Sequence, residues 1–126
     1  MSRSLRVLIV EDEYFVATYV ADLMEDWGHE VVAMCATGED AIEHLKRGGV
    51  ELALLDIKLK GDLTGLDVAK VARTQGVTHV YLSGSGDPAT RSAARATDPL
   101  AFLQKPVNER QLSAVLSELA AESLGT

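Results

Sequence analysis

Glu11, Asp12 and Glu13 stand together directly after the apolar run at residues 7–10, and Asp56 stands directly after Leu52–Leu55. Carboxylates delivered to one place repel each other, and a hard cation with oxygen ligands is the ordinary remedy. Glu11, Asp12 and Asp56 therefore read as a Mg²⁺ site in which the ion keeps several waters. A carboxylate held beside such an ion and a lysine can attack phosphorus and form an acyl phosphate, which makes Asp56 the candidate nucleophile. Lys105, in Gln104-Lys105-Pro106, would set a fixed positive charge against the phosphoryl oxygens. Ser83, followed by Gly84, would add a hydroxyl donor, assisted by backbone N–H groups near the glycine. Taken singly, each residue has a commonplace explanation: Asp12 or Glu13 as a helix N-cap, Ser83 as a turn residue, Lys105 as a solvated loop charge. The chemistry rests on their conjunction.

Such a conjunction requires elements that bring distant segments to one edge, and the apolar pattern supplies them. Short apolar runs at residues 6–10, 31–35, 51–55, 79–82 and 100–103 alternate with amphipathic stretches, the pattern of an α/β domain whose parallel sheet is buried on both faces. The stretch 13–27 places Phe15, Val16, Tyr19, Val20, Leu23, Met24 and Trp27 at helical spacing and stops at Gly28. Thr37 and Asp40 predict a capping box for a second helix ending at Gly48-Gly49. Thr64 predicts the cap of a third helix that starts near Gly65 and runs to Gly76. Asp87-Pro88 opens a fourth whose inner face is almost wholly alanine, so it should be the least firmly packed. Asn108 opens a fifth, with Leu112, Val115, Leu116 and Leu119 inward. In an open parallel sheet ligands bind where the strands end, and every residue singled out above lies just after a strand.

The bulk numbers agree with one such domain: 126 residues, 47% hydrophobic, with 12 basic against 19 acidic residues. A net charge of -7, spread along the chain, argues against nonspecific binding to nucleic acid or anionic membrane and favours a cation or a basic partner. No apolar run is long enough for a signal or a membrane span, and Cys35, the single cysteine, has no internal disulfide partner, which fits a cytoplasmic location.

The ordered set Val7-Leu8-Ile9-Val10-Glu11-Asp12-Glu13, Leu54-Leu55-Asp56, Gly65, Tyr81-Leu82-Ser83-Gly84 and Phe102-Leu103-Gln104-Lys105-Pro106 resembles the receiver domain of two-component response regulators. The likeness covers nearly the whole chain. It implies a flavodoxin-like (βα)5 fold, a doubly wound five-stranded parallel sheet, over one domain at 1–126 without an output domain. It implies that Glu11, Asp12, Asp56 and the backbone carbonyl of Lys58 hold Mg²⁺. It further implies that Asp56 accepts phosphate from a sensor histidine kinase or histidine phosphotransfer protein, and that Lys105 pairs with the phosphate. Ser83 would be the switch hydroxyl, turning inward on phosphorylation, Phe102 the coupled aromatic, and the Lys105–Pro106 peptide cis. The downstream protein target is not named by the likeness, which also allows a homodimer through the face of helix four, strand five and helix five.

The chain departs from the family pattern at several positions. Glu11 stands where aspartate is commoner, Ser83 where threonine is commoner, and Phe102 lacks a phenol oxygen. Four other readings compete with a stand-alone receiver. A haloacid-dehalogenase-like or toprim phosphotransferase expects a second acid two residues after the strand-end aspartate, where this chain has Lys58. A phosphorylation-independent scaffold sits badly with an intact acceptor and lysine. A phosphate shuttle or sink uses the same site and stays open. A nucleotide-binding module would need glycine or hydroxyl donors where Glu11 and Asp12 stand.

Overall fold

The computed structural model describes residues 3–84 and 86–125, with the side chains of 122–125 left out. Met1, Ser2, Thr126 and the middle residue of Gly84-Ser85-Gly86 lie outside the described residues. Five strands alternate with five helices: β1 (Arg6–Val10), α1 (Tyr14–Asp26), β2 (Glu30–Cys35), α2 (Gly38–Arg47), β3 (Leu52–Leu55), α3 (Gly65–Thr74), β4 (Thr78–Ser83), α4 (Pro88–Arg95), β5 (Ala101–Gln104) and α5 (Glu109–Gly125). All pairings are parallel, as the alternation predicts, and the strand order is β2-β1-β3-β4-β5, the doubly wound flavodoxin-like arrangement that the resemblance implies.

Residue parity sorts the strands onto two cores. Val7, Ile9, Leu52, Leu54, Val80 and Leu82 pack with α1 and α5, while Leu8, Val10, Ala53, Leu55 and Tyr81 pack with α2, α3 and α4. The central strands are apolar on both faces because both faces are covered. As expected, α4 is thinly anchored, with Ala94 its one buried residue. Asp87 caps it by accepting from the Thr90 N–H at 3.0 Å.

Two expectations need correction. At α2 only half of the predicted box forms, Thr37 accepting from the Asp40 N–H at 3.2 Å. The reciprocal box stands at α3, where Thr64 accepts from the Leu66 N–H and the Asp67 carboxylate accepts from the Thr64 N–H at 2.8 Å. In α1 the inner face is Ala17, Val20, Ala21, Leu23 and Met24, while Phe15 is 86% exposed and Tyr19 is also exposed. At 3.6 residues per turn Phe15 and Tyr19 stack on each other's row, one position off the inward row of Val16 and Val20.

A buried polar triad fastens the end of α4 to β4. Thr97 Oγ donates to the Ala94 carbonyl at 2.6 Å, so its lone pairs face the Tyr81 hydroxyl at 2.6 Å and His79 Nε2 at 3.1 Å, both of which must donate. Burial keeps the His79 pKa below its usual 6.5, Arg73 adds to the effect and Asp98 opposes it. The ring is therefore neutral when folded, and the unfolded chain binds the extra proton. Stability should fall as pH drops below about 6.5, and His79→Gln should remove that part of the slope in denaturant unfolding at stepped pH.

Candidate phosphoryl-acceptor site

The ladder hydrogen bonds run one residue past several strands and fix the backbone of the site. The Glu11 N–H donates to the Cys35 carbonyl at 2.9 Å, Asp56 N–H to Val10 at 2.9 Å, and Lys105 N–H to Ser83 at 3.0 Å. Glu11 and Asp56 thus emerge from adjacent strands, and their ligand oxygens lie within 4.8 Å of each other and of Asp12. Lys105 follows β5, two strand spacings or about 10 Å from β3, a reach that suits a long side chain. Its Nζ lies 2.5 Å from Glu11 Oε1 and 2.9 Å from Asp56 Oδ2.

Glu11 and Asp56 are each only 7% exposed. Burial raises the Glu11 pKa, against the pull of Lys105 and the Glu13 N–H, and the neighbouring Asp56 charge raises it further. For Lys105 burial is the largest influence and opposes the charge, but Asp56 and Glu11 together outweigh it and raise the pKa. The ammonium is thus secured by the carboxylates it neutralises. Asp56 Oδ1 accepts from the Ile57 N–H at 2.7 Å, which orients the carboxylate. Asp12, Asp56 and Lys105 line a concavity of about 570 Å³ together with Glu13, Lys58, Gly84 and Asp87, and Glu11 adjoins it through its contact to Lys105. Oxygen-only donors of this charge fit a hard divalent ion, and Lys105 neutralises part of the charge that Glu11 and Asp56 share.

Lys105→Met should therefore destabilise the metal-free protein by about 3 kcal/mol, because two buried carboxylates lose their counter-charge. Added Mg²⁺ should raise the melting temperature of that variant more than that of the wild type, as read by calorimetry with and without the ion.

Gly65 is held against this site from outside. Its N–H donates to the Ile57 carbonyl at 2.8 Å, and a Cβ there would collide with the Asp56 carbonyl oxygen and lie 2.8 Å from its carbon.

The family model for the response regulator receiver domain matches residues 7–117. The chain belongs to this family. It is 31% identical, over 94% of its length, to the nitrogen assimilation regulatory protein NtrX of Azorhizobium caulinodans, of which it covers 26%. It is 30% identical, again over 94%, to an uncharacterized response regulatory protein of Yersinia pestis, of which it covers 49%. The receiver domain thus spans about half the length of these curated relatives or less. Among solved structures, a CheY-like receiver domain protein from Methanospirillum hungatei superposes with a TM-score of 0.87 at 25% identity, covering 98% of both chains. The signal receiver domain of a modulated diguanylate cyclase from Desulfovibrio desulfuricans gives 0.87 at 29%, covering 96% of both.

One candidate sits differently from its sequence placement. Ser83 is the last residue of β4 and fully buried, so it does not turn in from an exposed loop; any reorientation is a rotamer change in a closed space. Phe102 is half-buried, its ring centroid 5.6 Å from that of Tyr81, on the face of the sheet that carries α4. The Lys105–Pro106 peptide is cis. Lys58 lines the mouth of the concavity with an exposed side chain.

Sequence reasoning missed the apolar groove beside the site. Phe15, Val16, Tyr19, Pro106 and Val107 line about 300 Å³ with Lys105 at one end, and the Tyr19 hydroxyl donates to Glu109 at 2.8 Å across it.

Proposed function

We propose that Asp56 accepts a phosphoryl group from a histidine kinase or histidine phosphotransfer protein and that its phosphorylation switches a protein-interaction surface on this receiver domain. The observation that supports this best is Lys105 Nζ bridging Asp56 and Glu11, 2.9 and 2.5 Å away, at the open end of the sheet. An Asp56 carboxylate oxygen attacks phosphorus, the bond from phosphorus to the donor's imidazole nitrogen breaks, and the imidazole leaves with that electron pair. Lys105 is placed to exchange its carboxylate partner for a phosphoryl oxygen, while the Ile57 N–H keeps Asp56 oriented. Glu11, Asp12, Asp56 and the carbonyl of Lys58 would hold Mg²⁺, which when bound neutralises charge developing on the transferred group. No reaction beyond the domain's own phosphorylation and dephosphorylation is proposed.

Phosphorylation adds about two charges and three acceptor oxygens at Asp56, which draws the Ser83 hydroxyl toward it. Phe102 and thinly held α4 share the face behind Ser83, so the change reaches the surface there. No helix among the described residues is long and apolar enough to cross a membrane, and we place the domain in the cytoplasm.

Incubation with acetyl phosphate and Mg²⁺ should add one phosphoryl mass to the intact chain, and chelation of the ion should abolish the gain. A gain indifferent to the metal would overturn the assignment of the carboxylates. The groove at Phe15 and Pro106 shares Lys105 with the site and supplies a landing surface for the protein donor. Phe15→Glu should leave labelling by acetyl phosphate unchanged yet slow transfer from the cognate phosphodonor protein about tenfold, measured by rapid-quench transfer.

A further inference from the structure

His79 is buried at the start of β4, at the opposite end of the strand from the acceptor site, and the chemistry at Asp56 makes no use of it. Its Nε2–H goes to Thr97, so Nδ1 is the unprotonated nitrogen. Among the described residues Nδ1 has no hydrogen-bond partner, yet no buried side-chain nitrogen or oxygen is left without one. Nδ1 therefore opens onto the concavity of about 420 Å³ that His79 lines, where the turn after α3 meets the turn after α4. Arg73 and Asp98 line the same concavity and form no salt bridge among the described residues. Both charges are felt at the His79 ring, in opposite senses. Asp98 is the one described non-glycine residue with a left-handed backbone, φ 56, and its N–H donates to the Arg95 carbonyl at 2.9 Å, which ties the turn to the end of α4. Val77, Pro99 and Leu100 complete the wall with apolar surface.

We propose that this cavity binds a small zwitterion of the class of free aliphatic amino acids, its carboxylate on Arg73, its ammonium on Asp98 and His79 Nδ1, and its side chain against Val77 and Leu100. The guanidinium fork matches a carboxylate in bidentate geometry. An ammonium carries donors and no acceptor, and the two groups assigned to it, a carboxylate and an unprotonated ring nitrogen, are both acceptors. A simple anion would also meet the charge of Asp98, and a simple cation that of Arg73, whereas a molecule carrying both signs satisfies the two together. Occupancy would be felt at α4, because Thr97 joins His79 to the Tyr81 hydroxyl and to the Ala94 carbonyl. The cavity shares no lining residue with the concavity at Asp56, so the proposal stands apart from the acceptor reading.

The test is titration calorimetry with L-leucine, beside isocaproate, which lacks the ammonium, and isoamylamine, which lacks the carboxylate. Leucine should bind saturably in the millimolar range, and each half-molecule about tenfold more weakly or worse. Arg73→Gln and Asp98→Asn should each weaken leucine about tenfold, and asparagine tolerates the left-handed backbone, so the turn survives the second change. Arg47→Gln, at an arginine of α2 that is paired with Glu43, should bind leucine as the wild type does. In a proton–nitrogen correlation spectrum, leucine should shift the amides of Thr78, His79 and Leu100 and leave that of Ile57, beside the acceptor, in place. Absence of saturable binding, equal binding of either half-molecule, or indifference to Asp98→Asn would overturn the proposal, and so would shifts confined to the acceptor end of the sheet.

Discussion

An Asp56→Asn chain is expected to take up no phosphoryl group under conditions in which the wild type gains one per molecule. The amide keeps the size of the side chain but has no anionic oxygen to attack phosphorus. The substitution should not unfold the protein. Asp56 is one of two buried carboxylates facing a single ammonium, and Glu11 keeps its 2.5 Å contact to Lys105 when Asp56 is neutral. Removing one of two like charges also lowers the Glu11 pKa from its raised position, because the Asp56 charge is one of its causes. The expected pattern is total loss of labelling with unchanged or higher melting temperature, read by intact mass and calorimetry on the same sample.

Gly65→Ala is expected to cost about 3 kcal/mol or more and to disable the acceptor together with the fold. Overpacking of a flexible side chain is relieved by a rotamer change, but here the obstacle is backbone. The new Cβ would strike the Asp56 carbonyl oxygen and lie 2.9 Å from the Ile57 Cα, in the segment whose N–H groups hold the acceptor. Gly38→Ala offers a comparison, since its Cβ would meet the Leu63 Cβ at 2.7 Å and not the acceptor segment. Both variants should unfold at lower urea, but a folded remnant of Gly65→Ala should label slowly while folded Gly38→Ala labels at the wild-type rate.

The alternation of buried runs and amphipathic stretches made the sheet, its five helices and its functional edge legible, because strands covered on both faces admit little but apolar residues. Glu11, Asp12, Asp56 and Lys105 were legible for the converse reason: charge directly after such a run has to be explained. What escaped depends on contacts between distant residues. Thr97, after an alanine-rich helix, carries no mark of its place between Tyr81 and His79, and nothing near Arg91 in the chain points to Phe102, whose ring its guanidinium covers. Phe15 and Tyr19 share the helical spacing of the buried residues but face outward, because that spacing names a stripe without saying which of two adjacent rows faces the sheet. Ser83 was placed in a loop because a hydroxyl beside glycine resembles a turn, whereas the bond from the Lys105 N–H extends β4 through it.

The central claim is that the carboxylate of Asp56 forms an acyl phosphate. Borohydride reduces such a mixed anhydride to an alcohol and leaves phosphate esters and free carboxylates intact. After treatment with acetyl phosphate and Mg²⁺, borohydride reduction and peptide mass spectrometry should find homoserine at position 56 and at no other aspartate. Homoserine elsewhere, or a phosphoryl label that survives borohydride on a hydroxyl side chain, would contradict the account.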